Sequence, residues 1–588
     1  MIVENTTAKG KVQNAYGNLL SVKFEGSISL GEVGFVHVGN HKLKAEVIEI
    51  ESDIAKIQVF EDTTGIRLGT EVTFDRTLLE VSLAPGLLGS IYDGLQNPLE
   101  EIANTAGAYL PRGLYVDPID DVKHWAFTPN AQVGSTVKKG DLLGIVPEGR
   151  FSHKIFVPFQ WQGEYKVTWI AEAGSYTVKD TIAKLEDKNG KELKVTMLQK
   201  WPVKRQLMIG ERIKPHKMLF TGLRILDTQN PLLQGETLCT PGPFGAGKTV
   251  TQHHLAKYSS VDIVIVVACG ERAGEVVETL KTFPFLKDVY TDEPLINRTI
   301  IICNTSSMPV AAREASVYTG MAIAEYYRQM GLNVLLLADS TSRWMQAMRE
   351  MSGRLEEIPA EEAFPAYLSS RVANFYERAG VIITPDQAEG SITVVGAVSP
   401  AGGNFNEPGT QATLKVVAAF ACLSKEYADA RKYPAIDPLA SWSKCRDDVA
   451  KIMSKHFEHW GRFLELTDKL LVQGLEVSKR MEVVGLEGTL ISDYVVYLKS
   501  ELYSFVYLQQ NAFDKEDAFC PLERQVSMVK ILYPLLQKDF TFKNHDEAKA
   551  FFVDIQRELK NINYLPFQSE SYKKAEEKIE GMLYAKGL

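Results

Sequence analysis

The residues of this chain most able to do chemistry form a glycine-rich octet. Gly242, Pro243, Phe244, Gly245, Ala246, Gly247, Lys248 and Thr249 fit the spacing G-x-x-x-x-G-K-[ST] at every fixed position. Three glycines let the backbone curl so that successive N–H groups point inward at an anion. A helix that opens at the end of the loop adds its N-terminal partial positive charge. Lys248 then reaches the β- and γ-phosphate oxygens of a nucleoside triphosphate, and Thr249 offers a hydroxyl to Mg2+. An ordinary glycine-rich turn is the plain alternative. It does not account for the strand-length run before the octet (Glu236 to Thr240) and the helix-compatible run after it (Val250 to Tyr258).

Phosphoryl chemistry needs two more groups. A carboxylate must stand behind the metal at the end of a neighbouring strand, and Asp339, after Leu335-Leu336-Leu337-Ala338, fits that place, acting through water. The same aspartate, read alone, could cap the helix that follows. A second group must orient the attacking water. Gly270-Glu271-Arg272 follows the strand-like run Ile263 to Ala268, which is expected to share a sheet with the strand before the loop. There Glu271 can polarise water in line with the γ-phosphate, and Arg272 can contact a phosphate oxygen and steady Glu271. The tripeptide by itself is weak, because it also reads as a charged turn opening a helix at Gly274.

These groups need a scaffold, and the residue pattern supplies one in parts. The first ~75 residues read as all-β, with Leu43 to Ile50 and Ile54 to Phe60 as short Val- and Ile-rich strands between Gly and Asp turns. A small barrel or sandwich is the natural product. A second β-rich stretch runs from about Leu110 to Leu193 and includes a turn-rich hairpin pattern at Gly134 to Asp141 and a strand-like Tyr165 to Ile170. From about Trp201 to Ala440, apolar strand-length runs alternate with helical stretches. The runs are Thr237 to Thr240, Ile263 to Ala268, Thr299 to Cys303, Val334 to Ala338 and Ile392 to Val395. Continuous apolar strands suit a parallel sheet covered on both faces. Beyond Ala440 apolar residues recur at helical spacing, as in Val495, Leu498, Leu502, Phe505 and Val506, and the end from Tyr572 to Leu588 is amphipathic.

Composition bounds the function. With 588 residues, 45% of them apolar, the chain has the length of roughly four domains at about 150 residues each. Sixty-five Lys and Arg stand against 74 Asp and Glu, a net charge of −9 that argues against a general nucleic-acid binder. Lys573-Lys574 reads as a solvated helix face rather than a binding patch. The six cysteines form no C-x-x-C pair, so neither a zinc site nor a disulfide framework is expected, and a reducing compartment follows. The opening MIVENTTAKGKV lacks the apolar core of a secretory leader, and no stretch approaches the ~20 apolar residues of a membrane-spanning helix.

Taken together, GPFGAGKTV (Gly242 to Val250), GERAGE (Gly270 to Glu275), ADSTSRW (Ala338 to Trp344), SGRLEE (Ser352 to Glu357), PAYLSS (Pro365 to Ser370), FYERAG (Phe375 to Gly380) and QQNAFD (Gln509 to Asp514) resemble the catalytic A subunits of A-type and V-type rotary ATPases. The resemblance implies a multidomain α+β chain. Its parts would be an N-terminal β-barrel (1–75), an inserted β bulge domain (110–193), a RecA-like P-loop α/β nucleotide-binding domain (76–109 and 194–440) and a C-terminal helical domain (441–588). It implies an H+/Na+-transporting two-sector ATPase that uses Mg2+ with ATP or ADP. It places Lys248, Thr249 and Val250 at phosphate and Mg2+, Glu271 at the water and Arg272 at the γ-phosphate. Tyr433 would lie against adenine, with Ala512 and Phe513 closing that pocket; aromatic faces suit a purine. As partners it implies a B subunit, alternating with A in a hexamer and supplying an arginine finger. Central-stalk and peripheral-stalk subunits follow too, and a membrane ring reached only indirectly, on the cytoplasmic side. Ala246 replaces the cysteine of the eukaryotic vacuolar loop, which points to the bacterial or archaeal type. The helical domain departs from the family pattern around Val477 to Leu490.

Three other readings compete. A secretion or flagellar export ATPase shares the fold, but the stretch at 110–193 and the long helical tail count against it. A Rho-like RNA translocase lacks support from the acidic charge. A non-catalytic nucleotide-binding subunit is opposed by the intact Gly247-Lys248-Thr249 and by Glu271.

Overall fold

The computed structural model describes residues 8–107, 111–243, 245–400 and 403–584. Phe244 of the expected phosphate loop lies outside them, as do Leu110 and residues 585–588 at the ends of expected segments. The chain divides into two compact units, Met1–Lys214 with Val261–Ala397 and Asn406–Val416, and Pro215–Ser260 with Val398–Phe405 and Val417–Leu588.

In the first unit, six antiparallel strands close into a barrel: Lys9–Tyr16, Leu19–Glu25, Glu32–Val38, His41–Glu51, Ile54–Val59 and Glu71–Leu78. Alternation puts Val12, Leu20, Val22, Val36, Leu43, Ala45, Ile57 and Phe74 into its filled interior. The second β-rich stretch forms two four-stranded sheets. Here the expected local hairpin at Gly134 to Asp141 is not what forms. Thr136–Lys138 pairs instead with the distant strand Glu164–Ile170, and the turn closed by Asp141 N–H on Lys138 O (3.0 Å) passes the chain to Leu142–Glu148 in the other sheet. Three residues between two turns leave no local partner, and burial decides: Val137 packs with Leu143, Val157, Val167 and Leu185.

The same unit carries a parallel sheet with neighbours in the order Ile91–Asp93, Thr299–Thr305, Ile263–Glu271, Asn333–Asp339 and Glu389–Val398. These strands are buried along nearly their whole length, as two covered faces require. The helix Val310–Gln329, buried at every residue, packs on them. Glu46 of the barrel and Glu314 of this helix share Lys204, whose Nζ lies 2.8 and 3.3 Å from their carboxylates.

In the second unit the strand Thr237–Pro241 runs parallel to Ala419–Phe420. The helix Lys248–Tyr258 follows the phosphate loop. Five long helices follow toward its end: Trp460–Val484, Ile491–Tyr503, Leu522–Gln537, His545–Ile562 and Glu570–Tyr584. On the first, Trp460, Phe463, Leu464, Thr467, Leu470, Leu471, Gly474 and Val477 are buried at helical spacing, and burial ceases after Val477. Of the expected apolar stripe, Val495, Leu502 and Val506 are buried, Leu498 is half-buried and Phe505 is exposed. The helix widens to a π-helical turn at Ser504–Leu508, which alters the side-chain phase.

Candidate functional site

The phosphate loop sits between a buried strand and an α-helix, the context its residue pattern required. Gly242 N–H donates to Val398 O at 3.1 Å, and a Cβ at this position would come within 2.6 Å of the Leu423 Cβ, so only glycine fits. Pro243 O accepts from Ala246 N–H at 3.4 Å, closing the turn, and Ala246 is buried. Gly247 adopts φ +86°, a left-handed conformation that side chains resist, and nothing lies within 4 Å of where its Cβ would be. Gly247 caps the helix Lys248–Tyr258, so Lys248, Thr249 and Val250 form its first turn, where the helix dipole favours an anion. Lys248 Nζ donates to Gly242 O at 3.0 Å and to Ser399 Oγ, which arches the side chain back over the loop.

Beside this loop opens a cavity of about 570 Å³. Gly245, Ala246, Gly247 and Val250 line one side, and Tyr433, Ala512 and Phe513 line another. The two aromatics are not core residues, since Tyr433 is 45% and Phe513 92% exposed. The segment bearing Ala512 is tied to Tyr433 directly: Gln510 N–H donates to Tyr433 O at 2.9 Å. What holds that segment is a buried network that the residue pattern did not announce. Arg224 donates from Nε to Tyr507 O (2.5 Å) and from Nη2 to Gln509 O (2.7 Å) and Asp517 Oδ1 (2.9 Å). Arg224 N–H donates to Gln510 Oε1 at 2.6 Å, and Asp517 Oδ2 accepts from Asn511 N–H at 2.8 Å. Neither Arg224 nor Asp517 has exposed side-chain surface. Gln510 lies inside the quoted QQNAFD motif, the one signal that pointed here. Lys560 and Tyr564, far along the chain, also line the cavity, and no sequence pattern singled them out.

The carboxylates belong to the first unit. Glu271 and Asp339 are the last residues of Ile263–Glu271 and Asn333–Asp339, adjacent parallel strands in register at Ala268 and Asp339. Both therefore emerge at the C-terminal edge of the sheet, where parallel α/β sheets place ligand sites. Asp339 is buried, and the helix Thr341–Arg354 has Ser340 at its N-cap, one residue past Asp339. Burial raises the Glu271 carboxyl to about 7, helped by the charge of Asp339 and by a hydrogen bond with Glu275, while the Ser340 hydroxyl pulls it down. Arg272 is exposed at the N-cap of the helix Ala273–Thr282, so that helix opens one residue before the expected Gly274.

Thr249 carries a hydroxyl and, in the other unit, Asp339 carries a carboxylate; each by itself is a hard oxygen donor of the kind Mg2+ takes. No group of three or more His, Cys, Asp or Glu among the described residues is arranged to hold a metal by itself.

Comparison with known proteins gives the family of the chain. The model of the ATP synthase alpha/beta family, nucleotide-binding domain, matches residues 222–443, and its beta-barrel domain matches 12–75. The ATP synthase alpha/beta subunit barrel-sandwich domain matches 116–204, and the C-terminal domain of V and A type ATP synthase matches 450–548. The V-type ATP synthase alpha chain of Protochlamydia amoebophila is 58% identical over 576 residues, 98% of this chain and 97% of that one. That of Chlamydia pneumoniae is 56% identical over 581 residues, covering 99% and 98%. Among solved structures, the assembled ATPase EscN of the enteropathogenic E. coli type III secretion system aligns with a TM-score of 0.61 at 19% identity, covering 89% of this chain and 99% of that one, a likeness of fold. With more than half of the residues identical along nearly the whole of both sequences, the chain belongs to the family of V-type ATP synthase alpha chains.

Proposed function

We propose that this chain is the catalytic subunit of a rotary ATPase or ATP synthase, coupling hydrolysis or synthesis of ATP to movement of H+ or Na+ through a membrane rotor. The observation that carries the reading is the cavity beside the phosphate loop, walled by Tyr433, Ala512 and Phe513 and continuous with Gly245 and Gly247. It suits a purine whose phosphates lead to Lys248. In this reading Lys248 and the loop N–H groups bind the β- and γ-phosphates, and Thr249, with Asp339 through water, would hold Mg2+. The ion would supply neutralisation of the phosphate charge. Glu271, ionised, accepts a hydrogen bond from the attacking water and aligns it with the γ-phosphorus. The water oxygen bonds to phosphorus as the bridging bond to the β-phosphate breaks, and the proton leaves toward Glu271. Arg272 contacts the γ-phosphate oxygens.

By the family resemblance the reading includes a neighbouring B subunit that supplies an arginine finger, with central-stalk and peripheral-stalk subunits completing a complex on the cytoplasmic face of the membrane. No helix among the described residues is long and apolar enough to cross a membrane. The division into 1–75, 110–193, 76–109 with 194–440, and 441–588 accompanies this reading. The export-ATPase alternative has only likeness of fold in its favour, and the match to the V and A type C-terminal domain weighs against it.

Two substitutions test the assignment. Glu271→Gln is expected to keep ATP affinity and to lose turnover by about 10²–10⁴-fold. Lys248→Ala is expected to weaken ATP binding itself by about 10–100-fold, the worth of lost charge-assisted hydrogen bonds. Titration calorimetry with Mg–ATP and a phosphate-release assay separate the two. Loss of binding in Glu271→Gln would make that residue structural.

A further inference from the structure

The backbone that carries Glu271 is gripped by a residue with no role in the mechanism above. Gly270, the preceding residue, has φ +71°, and a Cβ there would lie 2.8 Å from Cδ and 3.1 Å from Nε of Arg313. The stem of Arg313 therefore lies directly on the peptide that leads into Glu271. Glu271 O accepts from Ser306 N–H at 2.9 Å, and Ser306 O accepts from Arg313 Nη2 at 3.2 Å. One residue before the glycine, Cys269 Sγ donates to Arg313 O at 3.4 Å. Arg313 thus engages residues 269, 270 and, through Ser306, 271.

We propose that Arg313 is a positioning residue for Glu271, clamping the end of the strand Ile263–Glu271 so that the carboxylate meets the water at a fixed place. The plain alternative is an ion pair between helices, since Arg313 Nη1 lies 3.6 Å from Glu350 Oε1. That pair is long and its Glu350 side chain is 45% exposed, so it contributes on the order of 1 kcal/mol or less. It does not account for an arginine only 9% exposed whose Cδ and Nε lie along a glycine and whose Nη2 donates to Ser306 O at 3.2 Å. The clamp accounts for both contacts. Arg313 sits in the first turn of the fully buried helix Val310–Gln329, so its anchor is rigid.

The inference rests on Glu271 being the water-orienting carboxylate. It is tested in the complex assembled with its partner subunits, measuring kcat for ATP hydrolysis and Kd for Mg–ATP in wild type, Glu271→Gln, Arg313→Met and Arg313→Lys. Arg313→Met keeps a stem on Gly270 but no donor for Ser306. It is expected to lower kcat on the order of 100-fold, the usual cost of misplacing a catalytic group by about 1 Å, with Kd within about twofold. Arg313→Lys keeps one donor and is expected to fall about tenfold. A kcat for either variant within about twofold of wild type overturns the inference, as does a loss of ATP binding in proportion to turnover. Should Arg313→Met fail to assemble, Arg313→Lys decides by the same criteria. Full turnover by Glu271→Gln would instead overturn the reading of Glu271 itself.

Discussion

At the residue scale, burial and a neighbouring carboxylate set the character of Glu271. Glu271 and Asp339 end adjacent strands, and Glu271 stands at about 7 because it is buried beside that carboxylate and shares a hydrogen bond with Glu275. A base poised near neutrality both accepts a proton and releases it. His254 shows the opposite consequence of burial. It lies on the phosphate-loop helix against Tyr258, with ring centroids 4.4 Å apart, and burial lowers it to about 3. The folded chain keeps this imidazole neutral, whereas the unfolded chain protonates it near 6.5. Its effect on stability therefore appears as a loss while pH falls from about 6.5 toward 3, by about 1.4 kcal/mol per unit. His254→Phe, which retains a ring against Tyr258, is expected to flatten that slope by about 2 kcal/mol between pH 6.5 and 5. Denaturant unfolding of both proteins at several pH values checks it, and parallel slopes would assign the acid sensitivity to other groups.

At the scale of elements, strands were the most legible part. Runs such as Ile263 to Ala268 and Val334 to Ala338 are apolar throughout because both faces of a parallel sheet are covered, and that pattern survives without any knowledge of neighbours. The phosphate loop was legible for a related reason, since its backbone shape demands glycine at fixed offsets. The support of the cavity wall was not legible. Arg224 and Asp517 are separated by nearly three hundred positions, and a single buried arginine carries no periodicity. Their pair predicts a measurable cost. Arg224→Met leaves the fully buried Asp517 only the Lys560 ammonium at 4.0 Å and is expected to destabilise the chain by about 3 kcal/mol. Because Arg224 also holds Gln509 O and Gln510 Oε1, the same change is expected to raise the KM for ATP. Urea denaturation and steady-state kinetics read the two effects, and a stable variant with unchanged KM would remove Arg224 from the support of the wall.

For the whole molecule, the proposed site asks for a second chain. Arginine fingers supplied in trans raise turnover by about 10³–10⁵-fold in phosphoryl-transfer enzymes. The isolated chain is accordingly expected to bind Mg–ATP yet hydrolyse it slowly, and addition of the B subunit to accelerate turnover by at least about 10³-fold. Phosphate release measured with and without the partner checks this. Equal rates would place every catalytic group within this chain. The acidic net charge of −9 agrees with assembly on protein partners rather than on nucleic acid.

The sequence by itself determined the phosphate loop, the strands that end in Glu271 and Asp339, the barrel and helical regions, and the family. Each of these is written in local spacing: glycines where a loop must curl, apolar runs where a strand is covered, helical periodicity where one face is buried. Only the tertiary structure decided that Thr136–Lys138 pairs with Glu164–Ile170 and not within its own turn, that Phe505 leaves the apolar stripe, and that Arg224 and Arg313 brace the two chemical features. These outcomes depend on which distant groups share a buried volume. There a polar side chain must find its partners wherever the fold brings them, and no spacing along the chain records that choice.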